Sequence, residues 1–126
     1  MILGIGIDNM DARMIERYYQ MYLDRFTVAE REECESRENR MCAYAKRFAA
    51  KEACIKALGV NDAIGGVHMR EIEVNATSSG RPHLTLTGGA LRQLQAITPH
   101  GRTAKVHVSI TDMNMTASAV VVIEAL

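Results

Sequence analysis

Proline, cysteine and any excess of charge are scarce in this chain, and each shortage removes a class of function. Two prolines among 126 residues leave no proline-rich linker, and no repeat or low-complexity tract divides the sequence. One domain over residues 1–126 is expected, of a size that buries roughly two thirds of its unfolded surface. Three cysteines, Cys34, Cys42 and Cys54, cannot all pair with one another and show no zinc-knuckle spacing, so thiols in a reducing compartment are expected. Fifteen basic and 15 acidic side chains cancel, which removes any general attraction to nucleic acid or anionic membrane. No apolar run approaches a membrane span. The N-terminus lacks the basic region of a secretory signal. A cytoplasmic protein without nucleic-acid or membrane partners is the expectation.

Familiar catalytic signatures are missing too. There is no Gly-x-x-x-x-Gly-Lys-Ser/Thr loop to cradle a nucleotide triphosphate, and no Gly-x-Ser-x-Gly nucleophile elbow. The four histidines, His68, His83, His100 and His107, show no His-Glu-x-x-His spacing. His107 alternates with Val106 and Val108, which suggests a structural or cleft role.

What is present reads as a folded α+β protein. A hydrophobic content of 48% with 24% charged residues suits a globular chain rather than a disordered one. Residues 1–7 form an apolar stretch broken by Gly4 and Gly6, which predicts a buried strand ending at Asp8. Two glycines inside a strand weaken it, so close approach by another backbone is expected there. Residues 11–24 turn helical. Thr27 and Glu30 stand three apart as a capping box requires, starting a second helix. Residues 41–58, rich in alanine and long charged side chains without glycine or proline, predict the best helix, stopped at Gly59 by a left-handed residue. A loop through Gly65 and Gly66 leads to strands at 69–74 and 82–87, joined by a turn at Ser78, Ser79 and Gly80. A short helix at 90–96 precedes two closing strands, 104–111 and 116–124, joined across 112–115. Helices early and antiparallel strands late give the α+β class. The acidic cluster Glu30, Glu32, Glu33, Glu35 and Glu38 reads as a solvated helix face.

Two carboxylates are candidates for chemistry. On the long helix Glu52 falls only about 40° from Phe48 in the apolar stripe, where a carboxylate needs a cation or hydrogen bonds. Lys56 follows one turn on, in the order that favours a surface ion pair. Lys51 also lies close to the stripe, between Ile55 and Leu58, which a surface pair does not explain. Asp8 after Gly-Ile-Gly suits either an N-cap or a hard-metal ligand, because magnesium takes one or two protein carboxylates with water and phosphate oxygens.

The ordered set of blocks is more specific than any one residue. Gly-Ile-Gly-Ile-Asp at 4–8, Arg-Phe-Ala-Ala-Lys-Glu-Ala-x-x-Lys-Ala-Leu-Gly at 47–59 and Glu-Ile-Glu-Val at 71–74 resemble the holo-acyl-carrier-protein synthases. These are the small 4′-phosphopantetheinyl transferases. Gly-Arg-Pro at 80–82, Val-His-Val-Ser-Ile-Thr at 106–111, and Ala117 with Ala119 continue the match. The resemblance implies a 4′-phosphopantetheinyl transferase-like fold, a homotrimer with sites between subunits, and magnesium as cofactor. It also implies transfer of the phosphopantetheine arm of coenzyme A to a serine of apo-acyl carrier protein, releasing adenosine 3′,5′-bisphosphate, in fatty acid biosynthesis. Asp8 and Glu52 match the metal-binding carboxylates, and Lys56 the lysine near the pyrophosphate; these three are the expected catalytic residues. Arg47, Lys56, Gly59, Gly80, Arg81, Pro82 and Asp112 match positions around the coenzyme. Arg13, Arg17, Met21 and Arg25, spaced by four along one side of the first helix, match the surface that meets an acidic helix of the carrier.

Three positions depart from the pattern. Asp112 stands where histidine is usual, and a carboxylate cannot donate to phosphate at neutral pH. Coenzyme contact or proton handling is expected to differ there, or a third carboxylate joins the metal. Met14 replaces an arginine, with Arg13 adjacent. Gly59-Val60-Asn61 replaces Gly-Thr-Gly, and the following loop is about one residue longer. Two other classes fit parts of the chain: a non-catalytic coenzyme A or carrier-protein binding module, and a magnesium-dependent phosphoanhydride hydrolase.

Overall fold

A computed structural model describes residues 1–60, 66–76 and 78–126; Asn61 and Gly65, assigned above to a loop, lie outside them. The chain runs β1 (Ile2–Asp11), α1 (Ala12–Arg17), α2 (Tyr19–Tyr22), a 3-10 turn (Leu23–Arg25), α3 (Val28–Glu35), α4 (Arg40–Ala57), a second 3-10 turn (Met69–Glu71), β2 (Ile72–Ala76), β3 (Pro82–Leu86), α5 (Gly88–Ile97), β4 (Ala104–Met113) and β5 (Thr116–Ala125). The strands form an antiparallel sheet ordered β1-β5-β4 and a separate β2-β3 hairpin. This is the expected α+β arrangement. Among the described residues no helix is long and apolar enough to cross a membrane.

The long helix α4 is the centre of the molecule. Asn39 caps it by accepting from the Cys42 N–H at 3.2 Å, and Gly59 ends it at φ +77°, the left-handed stop expected from the sequence. Its alanines lie on β1 and β5 with almost no side chain between the backbones. A Cβ added at Gly4 or Gly6 would fall far inside contact distance of the Ala57 and Ala53 carbonyl oxygens, respectively. The two strand glycines are therefore spaced to match one helical turn. Ala117 and Ala119 of β5 are buried beside them.

The Thr27–Glu30 capping box forms at the start of α3, with Thr27 Oγ1 accepting from Glu30 N at 3.2 Å and Glu30 Oε1 accepting from Thr27 N at 2.9 Å. Beside β2, Glu71 caps α5. Its Oε2 accepts from the Gly89 N–H at 2.7 Å and its Oε1 from the His68 N–H at 2.8 Å. Burial raises the Glu71 pKa, but these amide bonds outweigh it and hold the carboxyl below its usual range. A negative group at a helix N-terminus is favoured by the orphan N–H groups there.

Four expectations need correction. First, β1 does not stop at Asp8: pairing with β5 continues to Asp11 opposite Thr116. Asp11 rather than Asp8 is the N-cap, accepting from the Arg13 N–H at 2.9 Å. Second, the expected first helix is broken, because Tyr18 leaves the helical region at φ −117° and ψ 38°. Third, residues 69–71 form a 3-10 turn, so the strand expected at 69–74 begins at Ile72. Fourth, β4 runs on to Met113, and the hairpin turn is Asn114-Met115, at φ 50° and 66°. Asp112 therefore lies in a strand.

Candidate active site

Strand alternation places Gly4, Gly6, Asp8 and Met10 on the β1 face that meets α4. Asp8 is thus carried under the helix by the same periodicity that puts the glycines there. Its side chain is 18% exposed and forms an ion pair with Lys56, Nζ to Oδ1 at 2.9 Å. The Lys56 ammonium also donates to the Ile7 carbonyl at 2.9 Å. Glu52 is half-buried and lies four residues before Lys56, on the same side of α4. Three of the expected catalytic residues are in this way gathered on one shelf between β1 and α4. The ion pair read from the sequence as Glu52 with Lys56 gives Lys56 to Asp8 instead.

The remaining coenzyme positions form two other patches. Arg47 is half-buried on α4, donating to the Ala43 carbonyl at 3.3 Å, and its buried Nε has no hydrogen-bond partner. It lines a cavity of about 390 Å³ with Arg37, Glu38, Asn39, Cys42, Ala43, Lys46 and Asp112. Asp112 is paired there with Lys46 at 2.9 Å. The third patch holds Gly80, whose φ is +84°, and Arg81 with Pro82 beside the β4 edge, lining a groove of about 390 Å³ with Val106, His107, Val108, Ser109 and Ile110. The shelf on β1 and the groove beside β4 lie toward opposite edges of the sheet, with β5 between them.

Asp112 also answers the question its substitution raised. It shares the inner sheet face with Asp8, but β5 stands between, a lateral separation of about 10 Å over two strand spacings. Among the described residues no group of three His, Cys, Asp or Glu side chains is placed to hold a metal. Asp112 is thus not a third carboxylate beside Asp8 and Glu52 in this chain. Its partner Lys46 escaped the sequence reading; the only available signal was a cation directly before Arg47.

The row expected to meet a carrier protein is outward except at the half-buried Arg25, and Arg13 is 71% exposed. Arg13 is held by Asp11 through Nη2–Oδ2 at 2.7 Å and Nε–Oδ1 at 2.9 Å, and that side-chain bond pulls the Asp11 carboxyl down to about 2. Arg25 turns back to the Met21 carbonyl at 2.6 Å and lies over the Tyr22 ring at 5.1 Å. Arg17 and Met21 are exposed. With the helix broken at Tyr18, the four residues do not form one straight row. The fragment that bears them is tied to the core by Glu35, which accepts from Tyr19 at 2.7 Å, Tyr44 at 2.8 Å and Arg40 at 2.8 Å. Those tyrosine bonds, with Arg40, hold the Glu35 carboxyl below its usual range.

The acidic cluster is solvated at Glu32, Glu33, Glu35 and Glu38, as the sequence suggested, but not at Glu30. Glu35 is engaged as described, Glu33 pairs with Arg37, and Glu30 is fully buried against Lys51, with Oε1 to Nζ at 2.6 Å. Burial pushes the Lys51 pKa down, and the Glu30 carboxylate opposes the shift. Cys34 and Cys54 are buried thiols, poorly placed for nucleophilic chemistry. Burial raises Cys34 to about 11 and Cys54 to about 12, and all three cysteines are free. His107 faces outward, paired with Glu124 at 2.8 Å.

Comparison with known proteins agrees with this geometry. Residues 4–112 match the model of the 4′-phosphopantetheinyl transferase superfamily. The chain is 53% identical to a holo-[acyl-carrier-protein] synthase of Methylobacterium nodulans, covering 100% of this chain and 98% of that protein. It is 49% identical to the enzyme of the same name from Brucella ovis, covering 100% and 97%. Among solved structures, the holo-[acyl-carrier-protein] synthase of Neisseria meningitidis superposes with a TM-score of 0.81 at 31% identity, over 98% of this chain and 99% of that one. The Bacillus anthracis synthase, solved in complex with CoA (3′,5′-ADP), gives 0.80 at 32% identity, over 100% and 99%. A match over most of the chain, with the same residue blocks supplying the shelf between β1 and α4, places this chain in the 4′-phosphopantetheinyl transferase superfamily.

Proposed function

We propose that the chain is a holo-acyl-carrier-protein synthase. It moves the 4′-phosphopantetheine arm of coenzyme A to a serine of apo-acyl carrier protein, with magnesium, and releases adenosine 3′,5′-bisphosphate. The observation that carries this reading is the shelf on which Asp8, Glu52 and Lys56 converge. The donor set fits magnesium: two carboxylates leave most of an octahedral shell for water and substrate phosphate oxygens. Bound there by Asp8 and Glu52, the ion would neutralise charge on the pyrophosphate during displacement. Lys56, already within reach of Asp8, adds a point charge beside the same oxygens. The serine oxygen forms a bond to the coenzyme's β-phosphorus as the bond to the adenosine bisphosphate oxygen breaks. In this reading Glu52 takes the serine proton.

Coenzyme contacts are assigned to Arg47, Lys56, Gly59, Gly80, Arg81, Pro82 and Asp112, and carrier contacts to Arg13, Arg17, Met21 and Arg25. A site completed between subunits of a homotrimer would bring the groove beside β4 to the shelf of a neighbouring subunit. The outer face of the three-stranded sheet supports that assembly. Ile5 and Ile7 are each 64% exposed and lie opposite Val122 and Val120 in the ladder, an apolar strip of the kind that marks an interface. The compartment is the cytoplasm and the carrier serves fatty acid synthesis.

Incubation with coenzyme A, magnesium and apo-acyl carrier protein tests the activity. A mass gain of one phosphopantetheine on the carrier is expected; no gain with several carriers rejects it. Release of phosphopantetheine without any carrier would identify a hydrolase instead. For the assembly, Ile5→Glu is expected to convert a trimer to a monomer in light scattering at micromolar concentration. A monomeric wild type, or a trimeric variant, contradicts it.

A further inference from the structure

Lys51 and Glu30 form a buried ion pair that the transfer chemistry does not use. Both side chains are 0% exposed. Every donor of the ammonium is occupied, by Glu30 Oε1 at 2.6 Å, the Met69 carbonyl at 2.8 Å and the Ile72 carbonyl at 2.8 Å. The carboxylate is equally engaged. Its Oε1 takes the Thr27 N–H at 2.9 Å and its Oε2 the Val74 N–H at 2.9 Å. One pair thus ties α4 to α3, to the turn before β2 and to β2 itself. The Phe26 ring lies against the ammonium at 5.5 Å.

Burying two charges is costly, and an apolar pair of similar volume is often as stable or more so. The pair is therefore poorly explained as a source of stability. What it supplies is direction. The contact of α4 with β1 is backbone against backbone, Gly4 and Gly6 under Ala57 and Ala53, and such a surface has no side-chain knobs to set the rotation of the helix. Glu52 follows Lys51 directly, 100° around the axis. A rotation of α4 would swing Glu52 about the shelf, and on the β1 side only the seating of Ala53 and Ala57 over the glycines opposes it.

We infer that Lys51, held by Glu30, is a positioning residue that sets the rotation of α4 and so the place of Glu52 in the transfer site. The same bonds hold the β2-β3 hairpin, which carries Gly80, Arg81 and Pro82, in register with that helix. The inference rests on the transferase reading, and the test separates the two.

Lys51→Met and Glu30→Gln are assayed for kcat and for coenzyme KM, at a temperature where circular dichroism shows each fully folded. Coenzyme binding is measured by calorimetry in EDTA, where Glu52 has no metal to hold. A displacement near 1 Å costs about 10²-fold in rate. Lys51→Met is accordingly expected to lower kcat by about 10- to 100-fold, with a smaller loss of coenzyme binding in EDTA because Arg47 and Lys56 move with the same helix. Glu30→Gln keeps the shape of the pair and is expected to give a smaller loss of the same kind. If Lys51→Met does not fold, Glu30→Gln alone decides. A kcat within twofold of wild type in the folded variants, or a loss that only tracks the folded fraction, overturns the inference. An inactive wild type instead defeats the transferase reading.

Discussion

Asp8→Ala and Glu52→Ala are each expected to lower the rate of carrier modification by about 10³-fold while leaving the protein folded. The size follows from what each carboxylate does. Charge builds on phosphoryl oxygens in the transition state, and removing one preorganised electrostatic partner from such a site costs about 10²–10³-fold; here loss of a carboxylate also loosens the metal. Little stability is at stake. The Asp8–Lys56 pair is partly solvated, with Lys56 53% exposed, and such pairs contribute about 0–1 kcal/mol. With both acids on one ion, as proposed, the double variant is expected to be scarcely worse than either single one. Steady-state assays over a magnesium titration, with melting temperatures alongside, measure both halves. A variant that keeps more than a tenth of wild-type activity at saturating magnesium would remove that residue from the metal site.

Gly6→Ala is expected to be the most damaging small substitution in the chain. The added methyl would overlap the carbonyl oxygen of Ala53, and it would crowd the Ala57 nitrogen as well. Those atoms belong to the backbone of α4, so no rotamer change can relieve the clash. The helix must lift off β1 or the strand must bend. Overpacking that a side chain absorbs costs about 1–3 kcal/mol; a backbone collision belongs to the exceptional class of about 4 kcal/mol or more. Gly59→Ala is the informative control. Gly59 has open space around its Cβ position but a φ of +77°, so only the left-handed backbone penalty of about 1–2 kcal/mol applies. Urea unfolding of the two variants should therefore differ by several kcal/mol. A Gly6→Ala protein within about 1.5 kcal/mol of wild type would mean that the strand and helix are not in contact as described.

These two outcomes bear on how the chain encodes its site. The glycines at 4 and 6 announced a close backbone approach, because glycine inside a strand is otherwise a loss. They could not say which element approaches. The alanines at 53 and 57, one helical turn apart, become the answer only when the strand and helix pack. Glu52 was legible from its angle to Phe48, and Lys51 stood out as a cation too near the apolar stripe to be a surface residue. Glu30 was half legible. Its capping role followed from the three-residue spacing to Thr27, yet its burial did not, since nothing local distinguishes it from Glu32 or Glu33.

Local rules failed where the chain obeys a distant partner. The strand was expected to stop at Asp8, but pairing with β5 carries it to Asp11, and a strand's length is set by its neighbour as much as by its own residues. The first helix was expected to be continuous. Tyr19 instead turns inward to Glu35, and the backbone breaks at Tyr18. A third carboxylate near the metal was one of two readings of Asp112, since spacing along the chain says nothing of a strand lying between two acids.

The amino-acid sequence by itself determined the α+β class, the long helix with its stop at Gly59, the turn ending at Gly80 and the candidate acids Asp8 and Glu52. Each of these depends on period, propensity or a spacing of a few residues. Tertiary structure alone decided that Lys56 meets Asp8, that Lys46 takes Asp112, and that Lys51 is buried with Glu30. Those pairings join residues up to about fifty or more positions apart, and their energies exist only after helix, sheet and hairpin have excluded water between them.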